Sequence, residues 1–192
     1  DTRTGNSPNL EENTYTYTIV SELTSNNIQV DFCDTYTATP IISWAVKRFQ
    51  YNLGINLTAS HNPPNYNGIK INDSDGAPAP IDLTDFIQEH ASKMIAQEKK
   101  QKPSKIAKSF FKQVNYTSNF IEHTNQLLKD VFKLNLSDFS NNYIIDSKCG
   151  SGIEIWKTLT ASSLGNIIWL NDKFSSDFNY KLPDPTLAET SE

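Results

Sequence analysis

Cysteine is nearly missing from this chain. Cys33 and Cys149 are the only two among 192 residues, and they stand far apart with no further ligand at metal spacing. That excludes a disulfide framework and a cysteine-based zinc site. Two isolated thiols suit a reducing compartment, the cytoplasm, as small buried side chains. Positive charge is also in deficit: 17 Lys and Arg against 22 Asp and Glu leave a net charge of −5. A nucleic-acid partner usually asks for the opposite balance. An acidic surface gathers no phosphorylated ligand from afar, so any phosphate site has to be local. No stretch approaches the ~20 apolar residues of a membrane helix, and no low-complexity tract interrupts the chain.

What the chain does have is alternation. Ser7-Pro8 reads as a helix start, a hydroxyl cap followed by proline at the first helical position, which predicts a helix over 8–24. Residues 29–32 read as a short strand. Pro40 opens a helix to about residue 51, with Ile41, Ala45, Val46 and Phe49 on one face and Gly54 as its stop. Residues 55–58 and 69–71 read as strands from their apolar period of two. Asp82 is expected to cap a helix to about residue 97 with Phe86, Ile87, Ala91, Met94 and Ile95 inward. Residues 97–108 form a lysine-rich connector, Lys99, Lys100, Lys102, Lys105 and Lys108 being a solvated charge run. A helix is expected over 117–133, a linker over 136–142, a strand over 143–146, a helix over 153–164 and a strand over 167–170. Strands alternating with helices argue α/β. The repeated order predicts two similar units, 1–135 and 136–192.

The densest chemistry lies in Thr58-Ala59-Ser60-His61-Asn62-Pro63-Pro64-Asn65-Tyr66-Asn67-Gly68-Ile69-Lys70. It is too polar for core and is flanked by period-two apolar pairs. That is strand, rigid loop, strand, with a serine hydroxyl held by two prolines that each fix φ. The bland alternative is a turn-rich surface loop. Ser60-His61 does not read as a hydrolase pair, since sequence neighbours rarely aim nucleophile at base and no nucleophile-elbow glycines surround it. His90 and His123 sit on expected helices without metal spacing. Gly150-Ser151-Gly152 reads as a tight strand-to-helix turn rather than a phosphate cradle.

The serine loop resembles that of the α-D-phosphohexomutases, the phosphoglucomutase and phosphomannomutase family: Ala-Ser-His-Asn-Pro, then Tyr-Asn-Gly, then Lys. Asp1-Thr2-Arg3, Thr39-Pro40, Asp75-Gly76-Ala77, Gly150-Ser151-Gly152, Phe174 and Pro183-Asp184-Pro185 resemble further family positions in the same order. Tyr66 fits the phosphoglucomutase/phosphomannomutase branch. The family's magnesium loop Asp-Gly-Asp-x-Asp-Arg, its sugar-selecting Gly-Glu-x-Ser-Gly and its phosphate-binding Arg-x-Ser-Gly-Thr are not found in the sequence. The resemblance therefore implies an N-terminal piece of a mutase. Its expected fold is a layered α/β/α domain with a mixed, mostly parallel sheet, lacking its first strand, over 1–135, followed by the first part of a second similar α/β domain over 136–192.

The same resemblance implies a reaction and its parts. Ser60 would carry a phosphoryl group, with a charge of about −1.5 to −2 at neutral pH. His61, Asn62 and the planar fork of Arg3 would donate to it, and Mg²⁺ would bind through the Ser60 phosphate, its aspartate ligands being absent from this chain. The partner would be a hexose phosphate, interconverted between its 1- and 6-phosphates through a bisphosphate, with a glucose 1,6-bisphosphate-type activator. Lys70 or His61 would take the proton of the attacked hydroxyl. The resemblance favours Lys70 as base or phosphate contact and His61 as hydrogen-bonding partner, and the sequence alone does not rank them. The missing loops imply that the chain is inactive alone. The alternative reading is a non-catalytic module binding a sugar phosphate or a protein.

Overall fold

The structure is a computed structural model describing residues 1–97, 104–138, 140–161, 163, 165–180 and 183–184. The order is α1 (Tyr15–Ser25), β1 (Val30–Cys33), α2 (Thr39–Arg48), β2 (Leu53–Leu57), β3 (Ile69–Asp73), α3 (Ile81–Ala96), β4 (Phe111–Val114), α4 (Thr117–Asp130), β5 (Tyr143–Asp146), α5 (Ile153–Leu159) and β6 (Ile167–Leu170). The strands pair as β1 with β4 in parallel, β2 with β3 antiparallel, and β5 with β6 in parallel. The fold is thus mixed α/β with mostly parallel pairs, as expected. The β5–α5–β6 run is a crossover unit, which parallel strands require.

Several elements start or end elsewhere than expected. Residues 8–13 are turns, and α1 begins after Thr14, whose side chain accepts the Tyr17 N–H at 3.2 Å. Ser7 does not cap that helix: its hydroxyl accepts the Asn9 N–H at 3.2 Å, and its own N–H donates to Thr16 Oγ1 at 3.1 Å. Asp82 lies in the first turn of α3, and Pro80 holds the cap position. The expected inward face of α3 is exposed, from Ile81 and Phe86 to Met94 and Ile95. No described residue of this helix is buried. Strand β4 was not expected. It falls where the lysine-rich connector ends, and only its register with β1 organises it. Lys99, Lys100, Lys102, Leu164 and Pro185 lie outside the described residues.

Helix α2 has proline in its first turn, Lys47 and Arg48 in its last, and Ile41, Ala45 and Val46 buried. Both ends therefore match what backbone and dipole favour. Gly54 is no helix stop. It lies inside β2, where an added Cβ would stand 2.6 Å from Val46 Cγ2 and 3.2 Å from Ile42 Cγ2. The missing side chain lets α2 lie directly on the strand.

β1 and β2 do not pair with each other. A groove of about 380 Å³ runs between them, lined by Val20, Val30, Phe32, Val46, Ile55 and Leu57 among others. At one rim the Tyr51 hydroxyl bonds both the Asp31 carboxylate and the Tyr116 hydroxyl. Burial, then these hydrogen bonds, raise the Tyr51 phenol well above its ordinary value, and burial likewise raises Tyr116.

Candidate active site

The loop 58–68 leaves β2 and returns into β3. Its base is closed by the Thr58 N–H donating to the Gly68 carbonyl at 2.9 Å. Gly68 is required there by proximity, since an added Cβ would stand 3.0 Å from the Thr58 carbonyl oxygen. Asn67 caps the same corner. Its side-chain oxygen accepts the Gly68 N–H at 2.9 Å, and its amide donates to Asn6 Oδ1 at 3.1 Å. Two further turns stiffen the loop, Asn62 N–H to Ala59 O at 3.2 Å and Tyr66 N–H to Pro63 O at 3.0 Å.

Ser60 is exposed at the tip with φ at +58°, the left-handed region that a serine seldom occupies. Holding a residue there costs on the order of 1–3 kcal/mol and needs surrounding structure to impose it. One ion pair does so from both sides. Asp1 and Arg3 pair through Oδ2 and Nη1. Thr58 Oγ1 donates to Asp1 Oδ2 at 2.8 Å and accepts the Ser60 N–H at 3.0 Å. Arg3 Nη2 donates to the Ser60 carbonyl at 3.0 Å and to the Asn62 carbonyl at 2.6 Å. Both peptide groups of Ser60 are thus tied to the same Asp1–Arg3 pair, and its hydroxyl faces outward.

Arg3 is 1% exposed, and burial lowers its guanidinium from the ordinary value. Its Nη donors reach Asp1 and two backbone carbonyls, while Nε lies buried without a hydrogen-bond partner. The fork expected to face a phosphoryl group thus grips the backbone beneath the serine. His61 is exposed, with Nδ1 3.4 Å from Ser60 Oγ, a long contact. Lys70 is exposed on β3, opposite Asn56. Three contributors escaped sequence reasoning. Asp1, Thr58 and Asn6 act through bonds to residues about sixty positions away; the Asp1-Thr2-Arg3 and serine-loop motifs contain Asp1 and Thr58 without giving them a role, and nothing local marks Asn6. His90 Nδ1 donates to the Phe86 carbonyl of its own helix, and His123 of α4 packs on Trp44 of α2.

Among the described residues no three His, Cys, Asp or Glu stand together to hold a metal. Asp1, the carboxylate at the base of the loop, is committed to Arg3, Asn6 and Thr58. The described donors do not make a Mg²⁺ site. Among the described residues no helix is long and apolar enough to cross a membrane.

Residues 8–98 match the model of the phosphoglucomutase/phosphomannomutase alpha/beta/alpha domain I, a stretch that contains the whole serine loop. Across that stretch the chain resembles the phosphoglucomutase/phosphomannomutase family. The chain is 34% identical over 122 residues to a phosphoglucomutase of Staphylococcus saprophyticus, covering 60% of itself and 21% of that protein. It is 48% identical over 63 residues to a phosphoglucomutase of Staphylococcus haemolyticus, covering 33% of itself and 12% of that protein. Its fold matches a Thermus thermophilus protein described as a phosphomannomutase, with a TM-score of 0.67 and 22% identity over 92% of this chain and 38% of that one. A Burkholderia thailandensis phosphoglucomutase/phosphomannomutase family protein aligns at a TM-score of 0.54 and 18% identity, over 79% of this chain and 31% of that one. The chain therefore spans only a minor part of each of these proteins.

Proposed function

We propose that this chain is the serine-bearing part of a phosphosugar mutase in which Ser60 shuttles a phosphoryl group between the two ends of a hexose phosphate. The observation that carries the reading is the geometry of Ser60: a hydroxyl on an exposed loop tip, its backbone fixed in a costly conformation from below. Phosphoryl transfer asks mainly for position and electrostatics. A stiff loop meets the first demand, because little freedom remains to be lost when the reacting atoms align.

The chemistry is a pair of exchanges. The bond between phosphorus and Ser60 Oγ breaks as a free hydroxyl of a hexose monophosphate bonds to phosphorus, and that hydroxyl's proton passes to a base. The resulting bisphosphate turns round, Ser60 Oγ takes back the other phosphoryl, and the proton returns to the freed sugar oxygen. Lys70 is assigned as base or phosphate contact and His61 as hydrogen-bonding partner of the phosphoryl oxygens. Both are exposed, and His61 adjoins the serine. Arg3 positions the loop. A Mg²⁺ ion and a glucose 1,6-bisphosphate-type activator belong to the same reading, with the metal's carboxylates supplied from outside this chain. A reducing, cytoplasmic setting fits Cys33 and Cys149, which form no disulfide.

The domain plan is part of this reading. Residues 1–135 make one mutase domain whose sheet takes a further strand in the groove between β1 and β2, and residues 136–192 begin a second. The Asp1 nitrogen already donates to the Leu57 carbonyl at 2.9 Å, as the last rung of such a strand would. By itself the 192-residue chain is expected to show no turnover.

The test is steady-state conversion of glucose 1-phosphate by the intact protein that carries this sequence. Ser60→Ala is expected to abolish it, and Lys70→Gln to lower it by roughly 10²–10⁴-fold with the pH profile of the base removed. Full activity in Ser60→Ala overturns the reading.

A further inference from the structure

The brace beneath Ser60 is covered by a residue far along the chain. The ring of Phe178 lies over the Arg3 guanidinium, 4.9 Å from its carbon to the ring centroid. Both partners are buried, Phe178 at 6% and Arg3 at 1% exposure. A desolvated guanidinium gains from an aromatic face, which also keeps water from competing for its N–H groups. Those groups are the ones that hold the Ser60 and Asn62 carbonyls.

Phe178 occupies this position at a conformational cost. Its φ is +54° and that of Asn179 is +56°. A bulky aromatic in the left-handed region is an outlier that neighbouring structure must enforce. The turn 175–179 supplies the enforcement. The Asn179 N–H donates to Asp177 Oδ1 at 3.0 Å and to Ser175 Oγ at 3.3 Å. Asn179 Nδ2 donates to Cys149 Sγ at 3.1 Å, which fastens the turn to the loop between β5 and α5. On the other side Thr2 Oγ1 donates to the Ser175 carbonyl at 3.0 Å. The strained turn is therefore bolted to the C-terminal unit through Cys149 and to the N-terminal arm through Thr2 and Arg3. Tyr36 meets Phe174 edge to face just beside it, with ring centroids 5.1 Å apart.

We infer that Phe178 is a positioning residue for Ser60, acting through the Arg3 guanidinium, so that the seating of the C-terminal unit sets the backbone of the serine loop. Its catalytic consequence rests on the mutase reading: the serine is held ready to accept and return a phosphoryl group only while the two units are docked. Undocking uncovers Arg3, admits water to its donors and releases Ser60 from the left-handed conformation.

The experiment is residue-resolved amide exchange, with the backbone coupling constant of Ser60 as a direct report of its φ, on the 192-residue chain without substrate. Phe178→Ala and Phe178→Leu are each expected to speed exchange of the Ser60 and Asn62 amides by roughly ten-fold and to shift the Ser60 coupling, while the β2–β3 ladder stays as protected as before. Phe178→Tyr, which keeps the aromatic face, is expected to restore both. Unchanged Ser60 exchange in Phe178→Ala overturns the inference. So does equal acceleration throughout the chain, which marks a contact that is merely structural. Because no substrate is present, either result leaves the mutase reading untouched, and loss of that reading leaves the exchange result standing.

Discussion

Arg3 reaches Ser60 across 57 positions of sequence, its Nη2 nitrogen donating to the Ser60 carbonyl at 3.0 Å. The contact joins a charged side chain that is 1% exposed to a serine exposed at a loop tip. Its buried cation is compensated by Asp1, and that same carboxylate steadies the Ser60 N–H through Thr58. Removing one member of a buried pair strands the other, which is typically worth several kcal/mol. Positioning here is thus coupled to folding: the residues that aim the serine also hold the N-terminal arm in place.

Gly54→Ala tests the packing of α2 on β2. The added methyl carbon would stand 2.6 Å from Val46 Cγ2, so helix and strand have to part. The expected cost is about 1–3 kcal/mol, as for other overpacked cores. Chemical denaturation would show it as a lower midpoint at unchanged slope. Equal stability of variant and wild type would mean that the helix does not lie on the strand as described.

Gly54 also marks what the sequence could and could not disclose. A glycine after a helical run reads as a stop, yet here it answers to side chains on α2, which no local pattern reveals. The strands Tyr143–Asp146 and Ile167–Leu170 were legible because each carries a short unbroken apolar run between turn residues. Phe111–Val114 was not, because its centre, Lys112 and Gln113, is polar and exposed, and only pairing with Val30–Cys33 makes it a strand. Ser7 failed as a cap because Asn9 claims its hydroxyl. The loop 58–68 was legible because its adjacent prolines and its glycine mark a stiff turn in the local sequence. The role of Arg3 was not, since carbonyls carry no side-chain signature.

Tyr51 and Tyr116 set an upper pH limit. Burial is the first cause of their raised values, reinforced for Tyr51 by its bonds to Asp31 and Tyr116. A phenol whose value is raised on folding stabilises fully below the unfolded value of ~10, and that contribution fades as pH climbs above it. Melting temperature should therefore hold from neutral pH to about 10 and fall beyond, and Tyr51→Phe should flatten the fall. Tyrosine absorbance titrating at ordinary values in the native state would contradict the buried cluster.

The groove between β1 and β2 makes a separate claim. Fusing a five-residue alternating apolar strand before Asp1 should fill it and pair with both free edges. The expected gain is on the order of 5–10 °C in melting temperature, with new amide protection in Val30–Cys33 and Leu53–Leu57. A proline-containing extension of equal length should give neither, because it cannot donate to the ladder. Equal melting temperatures for the two fusions would show that the groove accepts no strand.

The most direct measurement is the intact mass of the protein carrying this sequence after exposure to glucose 1,6-bisphosphate, followed by peptide mapping. The account predicts one added phosphoryl group, located on Ser60, removed again by excess glucose 1-phosphate and absent from Ser60→Ala. No added mass on the wild type, or a phosphoryl group mapped to another residue, would contradict it.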